Sequence, residues 1–184
     1  LRSEMTPWSG PETGGTLVTL VGGGFGDVEL GCRFGAEGVV AASVHGTEAV
    51  LCESPSAASV GWSSVSLVSH GETLRSGGSF FYVARMWVSA VAPLGGPVEG
   101  GTRLTVLGSH FRESSTLQCR FGEGSSATVV ARYMSADHIE CATPGRGVEG
   151  IVRVEVSMNA QQFSASSVGF LYVGAATVSS VWPE

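Results

Sequence analysis

Apolar and polar residues alternate along most of this chain in short runs, each closed by glycine, proline or a cluster of small polar residues. Alternation of that kind puts the apolar side chains on one face of an extended strand. The runs are rich in valine, threonine and aromatic residues, which suit a pleated, half-buried surface. Residues 1–13 read as an extended leading segment in which Pro7 and Pro11 exclude a helix. Strands are then predicted over 16–21, 28–34, 39–44, 49–52, 65–69 and 80–83. Gly22-Gly23-Gly24-Phe25-Gly26 separates the first two, 54–61 is a loop of small residues, and Gly77-Gly78 turns the chain into its closing strand. The second half gives 87–91, 104–107, 117–121, 127–133, 138–141, 151–156 and 169–173 in the same order. Apolar residues never recur at helical spacing through about ten positions, so no helix of consequence is expected. About seven short strands per half, with turns between them, predict an all-β chain of antiparallel sandwiches.

The two halves are copies of one unit. Cys32-Arg33-Phe34-Gly35 returns as Cys119-Arg120-Phe121-Gly122. Ahead of each lies a glycine-glycine-threonine segment, Gly14-Gly15-Thr16 and Gly100-Gly101-Thr102. Behind each lies a cysteine followed by proline, Cys52 with Pro55 and Cys141 with Pro144, then an aromatic closing strand with Phe80 and Tyr82 or Phe170 and Tyr172. The repeat divides the chain into a domain over 1–84 and a second over 85–174. Val178 to Pro183 restates Val88 to Pro93, so 175–184 reads as the first strand of a third domain. Only Ala84-Arg85-Met86 and Gly174-Ala175-Ala176 separate closing from opening strands, too little for a free tether, and a restricted, rod-like arrangement is expected. The absence of an initiator methionine at Leu1 and the third start suggest a segment of a longer polypeptide, with targeting signals elsewhere.

These residues resemble the IPT/TIG family (immunoglobulin-like, plexin, transcription factor). The second copy carries Pro93, Gly96-Pro97, Gly100-Gly101-Thr102, Leu104-Thr105-Val106, Gly108, Phe111, Cys119, Phe121, Cys141, Pro144, Val154, Val156, Phe170 and Tyr172. The first carries Pro7, Gly10-Pro11, Gly14-Gly15-Thr16, Gly22, Phe25, Cys32, Phe34, Cys52, Pro55, Val65, Phe80 and Tyr82. The resemblance implies tandem immunoglobulin-like (E-set) sandwiches. It also implies a choice of settings: ectodomains of plexin and growth-factor-receptor type, fibrocystin-like and bacterial surface proteins, or transcription factors that use the domain for dimerisation or DNA contact. Fold does not choose among them.

Composition narrows that choice. Hydrophobic residues make up 43% and charged residues 14%, ample for packed cores. Net charge is −6, and the ten basic residues are scattered arginines, so the footprint of a nucleic-acid binder is missing. No run approaches the about 20 apolar residues of a membrane-spanning helix. Cys32 and Cys52, and Cys119 and Cys141, occupy matching places in the two copies. Four cysteines allow three pairings; the repeat favours one disulfide within each unit and hence an oxidising compartment, the alternative being four free buried thiols.

Other chemistry is not signalled. Gly22 to Gly26 lacks the following helix that a phosphate loop requires, so no nucleotide is expected. Zinc-type cysteine spacing and an aspartate-rich calcium loop are missing, and neither metal nor cofactor is expected. His45, His70, His110 and His138 differ between units and read as surface residues in turns. Asp137-His138 with a serine is a triad in composition only. Trp8, Trp87 and Trp182 fall in leading segments, where packing between domains is favoured over an outward contact role. Trp62, with no counterpart near Gly150, is the better exposed anchor. The stretch 127–132, ending at Arg132, is the candidate edge for pairing with a partner strand.

The reading is a non-enzymatic extracellular or cell-surface array that serves as a structural spacer and protein-interaction rod, in a filament or receptor ectodomain. Expected partners are proteins, including copies of itself or neighbouring IPT/TIG domains, with any membrane attachment through other parts of the parent chain. One alternative is a DNA-associated transcription-factor domain. Another is an accessory carbohydrate-binding module of a secreted enzyme, with Trp8 and Trp62 stacking on sugars.

Overall fold

The computed structural model describes residues 4–25, 29–123 and 127–174. They divide into two compact units, Leu1–Arg85 and Met86–Glu184. The segment expected to begin a third domain, 175–184 with Trp182, lies outside the described residues.

The first unit contains β1 (Glu4–Thr6), β2 (Ser9–Pro11), β3 (Leu17–Val21), β4 (Gly31–Phe34), β5 (Gly38–His45), β6 (Ala49–Glu53), β7 (Gly61–Ser69) and β8 (Glu72–Val83). The second contains β9 (Trp87–Ala92), β10 (Gly95–Pro97), β11 (Arg103–Ser109), β12 (Gln118–Phe121), β13 (Thr128–Tyr133), β14 (His138–Ala142), β15 (Gly150–Ser157) and β16 (Gly169–Val173). No α-helix occurs among the described residues. Among the described residues each unit shows eight strands rather than about seven, because proline splits the leading segment in two. β1 and β9 pair antiparallel with β3 and β11, while β2 and β10 cross over to run parallel with β8 and β16.

Each unit is two sheets joined by one strand that serves both. In the first, Gly38 to Ala41 of β5 pair with β4, and Ala42 to His45 pair with β6. In the second, Thr128 to Val130 of β13 pair with β12, and Ala131 to Tyr133 pair with β14. Alternation does the rest: β3 and β11 bury Val18 and Leu20, or Leu104 and Val106, and turn the residues between them outward.

Three local readings change. The strand expected over 28–34 is shorter, beginning at Gly31 among the described residues. β7 begins at Gly61 instead of Val65, which places Trp62 in a strand and not beside a loop. The expected turn at Gly77-Gly78 is a bulge inside β8, since Val65 faces Gly78 while Ser66 faces Ser76. The hairpin turns earlier, at His70 (φ 50°) and Gly71 (φ 87°), two consecutive left-handed residues that match the twist of the flanking strands.

The shared motifs meet at one place in each unit. The Gly15 and Thr16 backbone forms hydrogen bonds with Ser54 at 2.8 Å, and Ser54 Oγ accepts a further one from the Thr16 amide at 3.1 Å. Thr143 does the same for Gly101 and Thr102. A Cβ on Gly100, at φ 82°, would stand 2.5 Å from the Gly145 nitrogen, so this turn admits only glycine. The closing tyrosine completes the junction: Tyr82 donates its hydroxyl to the Pro55 carbonyl at 3.0 Å, and Tyr172 donates to Pro144 at 2.8 Å. Both rings are 1% exposed and pack edge-on against Phe80 and Phe170.

Burial, with a smaller contribution from the nearby Glu37 carboxylate, pushes the Tyr82 hydroxyl from 10.0 up to about 12; burial also raises that of Tyr172. The native state therefore holds this proton more tightly than the unfolded chain does. The Tyr82 contribution is complete below pH 10 and declines as pH rises towards about 12. Denaturant titrations at stepped pH should show that decline. The Tyr82→Phe/Tyr172→Phe double variant should be about 1–3 kcal/mol less stable per lost bond at neutral pH and flatter with pH in this range. An equally steep decline in the double variant would contradict this assignment.

Candidate interaction surface

The four cysteines sit at the centre of the units. Cys32 on β4 is bonded to Cys52 on β6, with Cα atoms 6.2 Å apart, and Cys119 on β12 to Cys141 on β14, at 6.5 Å. Each bridge joins the two sheets through the core, and all four residues are buried. Disulfides of this kind persist in extracellular and secretory compartments, and that is the setting this chemistry defines.

No cluster of His, Cys, Asp and Glu able to hold a metal occurs among the described residues. Ser135, Asp137 and His138 do come together at the β13–β14 turn. Ser135 Oγ and Asp137 Oδ1 lie 2.7 Å and 3.0 Å from the same ring nitrogen, His138 Nδ1. A catalytic relay needs serine and acid on opposite nitrogens, so these groups shape a turn, where Ser135 Oγ also accepts the His138 amide. The hydrogen bonds from Ser135 and then His138 hold the Asp137 carboxyl below its usual range. In the glycine-rich run, the Phe25 ring lies over Gly22, and Phe111 lies likewise over Gly108. Both are aromatic plugs at a strand end, with no helix behind Gly22 among the described residues.

What remains is surface. Each half of β13 pairs on one side only among the described residues, leaving a free backbone edge at 128–130 and Val130 largely exposed. Arg132 reaches Glu140 at 3.7 Å across the β13–β14 ladder, beside an open groove of about 410 Å³ lined in part by Arg103, Val130 and Glu140. Arg132 is mostly in solvent, so this pair contributes little to stability.

The tryptophans separate. Trp87 is exposed on β9, opposite Ser109. Trp8 packs within its own unit: its ring centroid is 6.0 Å from that of Trp62, at an interplanar angle of 22°. Trp62 meets Phe81 edge-on at 4.9 Å. Phe81 also escaped sequence reading, because alternation marks it only as the outward partner of buried Phe80 and Tyr82. Trp62 does have a counterpart, contrary to expectation: it pairs with Phe81 as Ile151 pairs with Leu171. The Trp8 carbonyl accepts the Phe81 amide as the Leu94 carbonyl accepts that of Leu171. Both units thus present an outward apolar triad, aromatic in the first and aliphatic in the second.

Fold and bridges together define a tandem of disulfide-stapled, immunoglobulin-like β-sandwiches. The family model described as IPT/TIG domain matches residues 3–83 and 87–172, and the chain belongs to that family. It is 25% identical over 185 residues to Plexin-2 of Caenorhabditis elegans, covering 98% of this chain and 10% of the relative. It is 29% identical over 189 residues to human Fibrocystin-L, covering 97% of this chain and 4% of the relative. The chain therefore spans a tenth or less of these relatives. Among solved structures it is similar to the full extracellular region of Plexin A4, with TM-score 0.62 and 24% identity over 94% of this chain and 15% of that one, a likeness of fold.

Replacing both members of one bridge, as in Cys119→Ser/Cys141→Ser, should cost about 3 kcal/mol through the lost closure of a loop of 22 residues in the unfolded chain. Denaturant unfolding at neutral pH checks this. A cost below about 1 kcal/mol would contradict the stapling role.

Proposed function

We propose that this chain is part of an extracellular or cell-surface, non-enzymatic IPT/TIG array that acts as a structural spacer and protein-interaction rod. The observation that carries the reading is the recurrence of one disulfide-stapled sandwich, with β8 ending at Val83 and β9 beginning at Trp87. A connection of three residues leaves little freedom between two such bodies. The similarity to Plexin-2 and to the extracellular region of Plexin A4 supports the same setting. In this proposal 175–184 is the first strand of a third domain.

The mechanism is geometric. Rigid sandwiches set a distance, and their outer faces and strand edges make the contacts. The partners are proteins, including neighbouring or identical IPT/TIG domains, and the open side of the 127–132 edge is one place for an added strand. A DNA-associated role is disfavoured by the net charge of −6 and by the buried disulfides.

Small-angle X-ray scattering of the intact chain tests the spacer. The expected distance distribution has two maxima, one within a unit and one between units, unchanged from low to moderate salt. A single maximum, or a broad profile that shifts with salt, would remove the rod reading.

A further inference from the structure

The aromatic triad of the first unit lies on the outer face of its sheet, outside the buried core. Trp62 is 67% exposed and Trp8 53%, whereas the inward rings of the same unit, Phe34, Phe80 and Tyr82, are at most 1% exposed. The second unit builds the same sandwich with Leu94, Ile151 and Leu171 in these places. The rings are therefore an addition to the fold's outer face, carried by the bend that leads into β2 and by the adjacent strands β8 and β7.

Their arrangement is that of a platform. Two indoles nearly parallel, with centroids 6.0 Å apart, are offset and leave broad ring area to solvent. Half-buried Phe81 supports Trp62 from its edge, so the rings lose little further freedom when a ligand settles on them. Neither indole N–H has an acceptor among the described residues. The next cross-strand pair along this face is Ser64 opposite Ser79, both exposed, so hydroxyls border the rings.

Exposed indole area beside N–H and O–H groups suits a pyranose ring. Its C–H face packs on an indole, and its equatorial hydroxyls reach the donors and acceptors around the edge. The second unit meets solvent at these places with leucine and isoleucine side chains. Replacing them with flat rings adds what stacking needs. A net charge of −6 disfavours acidic sugars. We propose that Trp8, Trp62 and Phe81 form a platform in the first unit that binds a neutral glycan through the faces of its pyranose rings. This goes beyond the spacer reading and does not depend on it.

The test uses the intact chain and three neutral β-linked probes: cellohexaose, laminarihexaose and mannohexaose. Calorimetric titration should show saturable binding of at least one, accompanied by a change in tryptophan emission. Trp62→Ala should weaken that binding at least tenfold. The Trp8→Leu/Trp62→Ile/Phe81→Leu variant, which writes the second unit's residues into the first, should abolish it while keeping the parent's melting temperature within a few degrees. Ile151→Ala should bind like the parent. Silence of all three probes at millimolar concentration would overturn the proposal. So would undiminished binding by the aliphatic triple variant, which would make the patch a general apolar contact.

Discussion

Each unit depends on the short segment from the second cysteine to its proline. Cys52 or Cys141 reaches through the core to the opposite sheet. Two residues on, Ser54 or Thr143 ties down the glycine-glycine-threonine turn through backbone and side-chain hydrogen bonds. One residue further, the proline carbonyl receives the hydroxyl of the closing tyrosine. One stretch of chain therefore fixes the spacing of the sheets, the start of β3 or β11 and the end of β8 or β16. A small domain has limited apolar surface to bury. Concentrating covalent and polar constraints at one junction gives these sandwiches a defined closure beside their packed cores.

That junction explains which features were legible from sequence. Residues whose alternatives collide with backbone announce themselves: a Cβ on Gly14 would stand 2.7 Å from the Pro55 carbonyl carbon and one on Gly100 2.5 Å from the Gly145 nitrogen, so the glycines recur in both copies. Cysteines, the closing tyrosines and the inward alternation of β3 and β11 were readable for the same reason. Features set by pairing across the sheet were less readable. The bulge at Gly77 looks like a turn until Ser66 is found opposite Ser76. The splitting of the leading segment depends on β2 and β10 finding a parallel neighbour far along the chain. The aromatic platform was half legible: Trp8 and Trp62 stood out as large residues, but their stacking needs β2, β8 and β7 side by side. Phe81 gave no signal beyond its place in an aromatic strand.

The repeats also separate what the fold requires from what the surface is free to do. Inside, ring meets ring in both units, Phe34 with Phe80 and Phe121 with Phe170. Outside, equivalent positions diverge. Arg33 donates to Thr73 and the Gly71 carbonyl, whereas Arg120 is paired with Glu155 and lies 3.9 Å from the Phe163 ring centroid. The outward triads differ in the same way. With a constant interior, each copy can change its outer face without reopening the folding problem.

The measurement that bears most directly on this account is a peptide map of the native protein, with and without reduction. The chain contains no lysine, and cleavage after Arg33, Arg112, Arg120, Arg132 and the other arginines leaves the four cysteines on four separate peptides. The account predicts two reducible cross-links, Cys32 with Cys52 and Cys119 with Cys141. Four free thiols would contradict it, removing both the staple at the centre of each sandwich and the chemical ground for an extracellular setting.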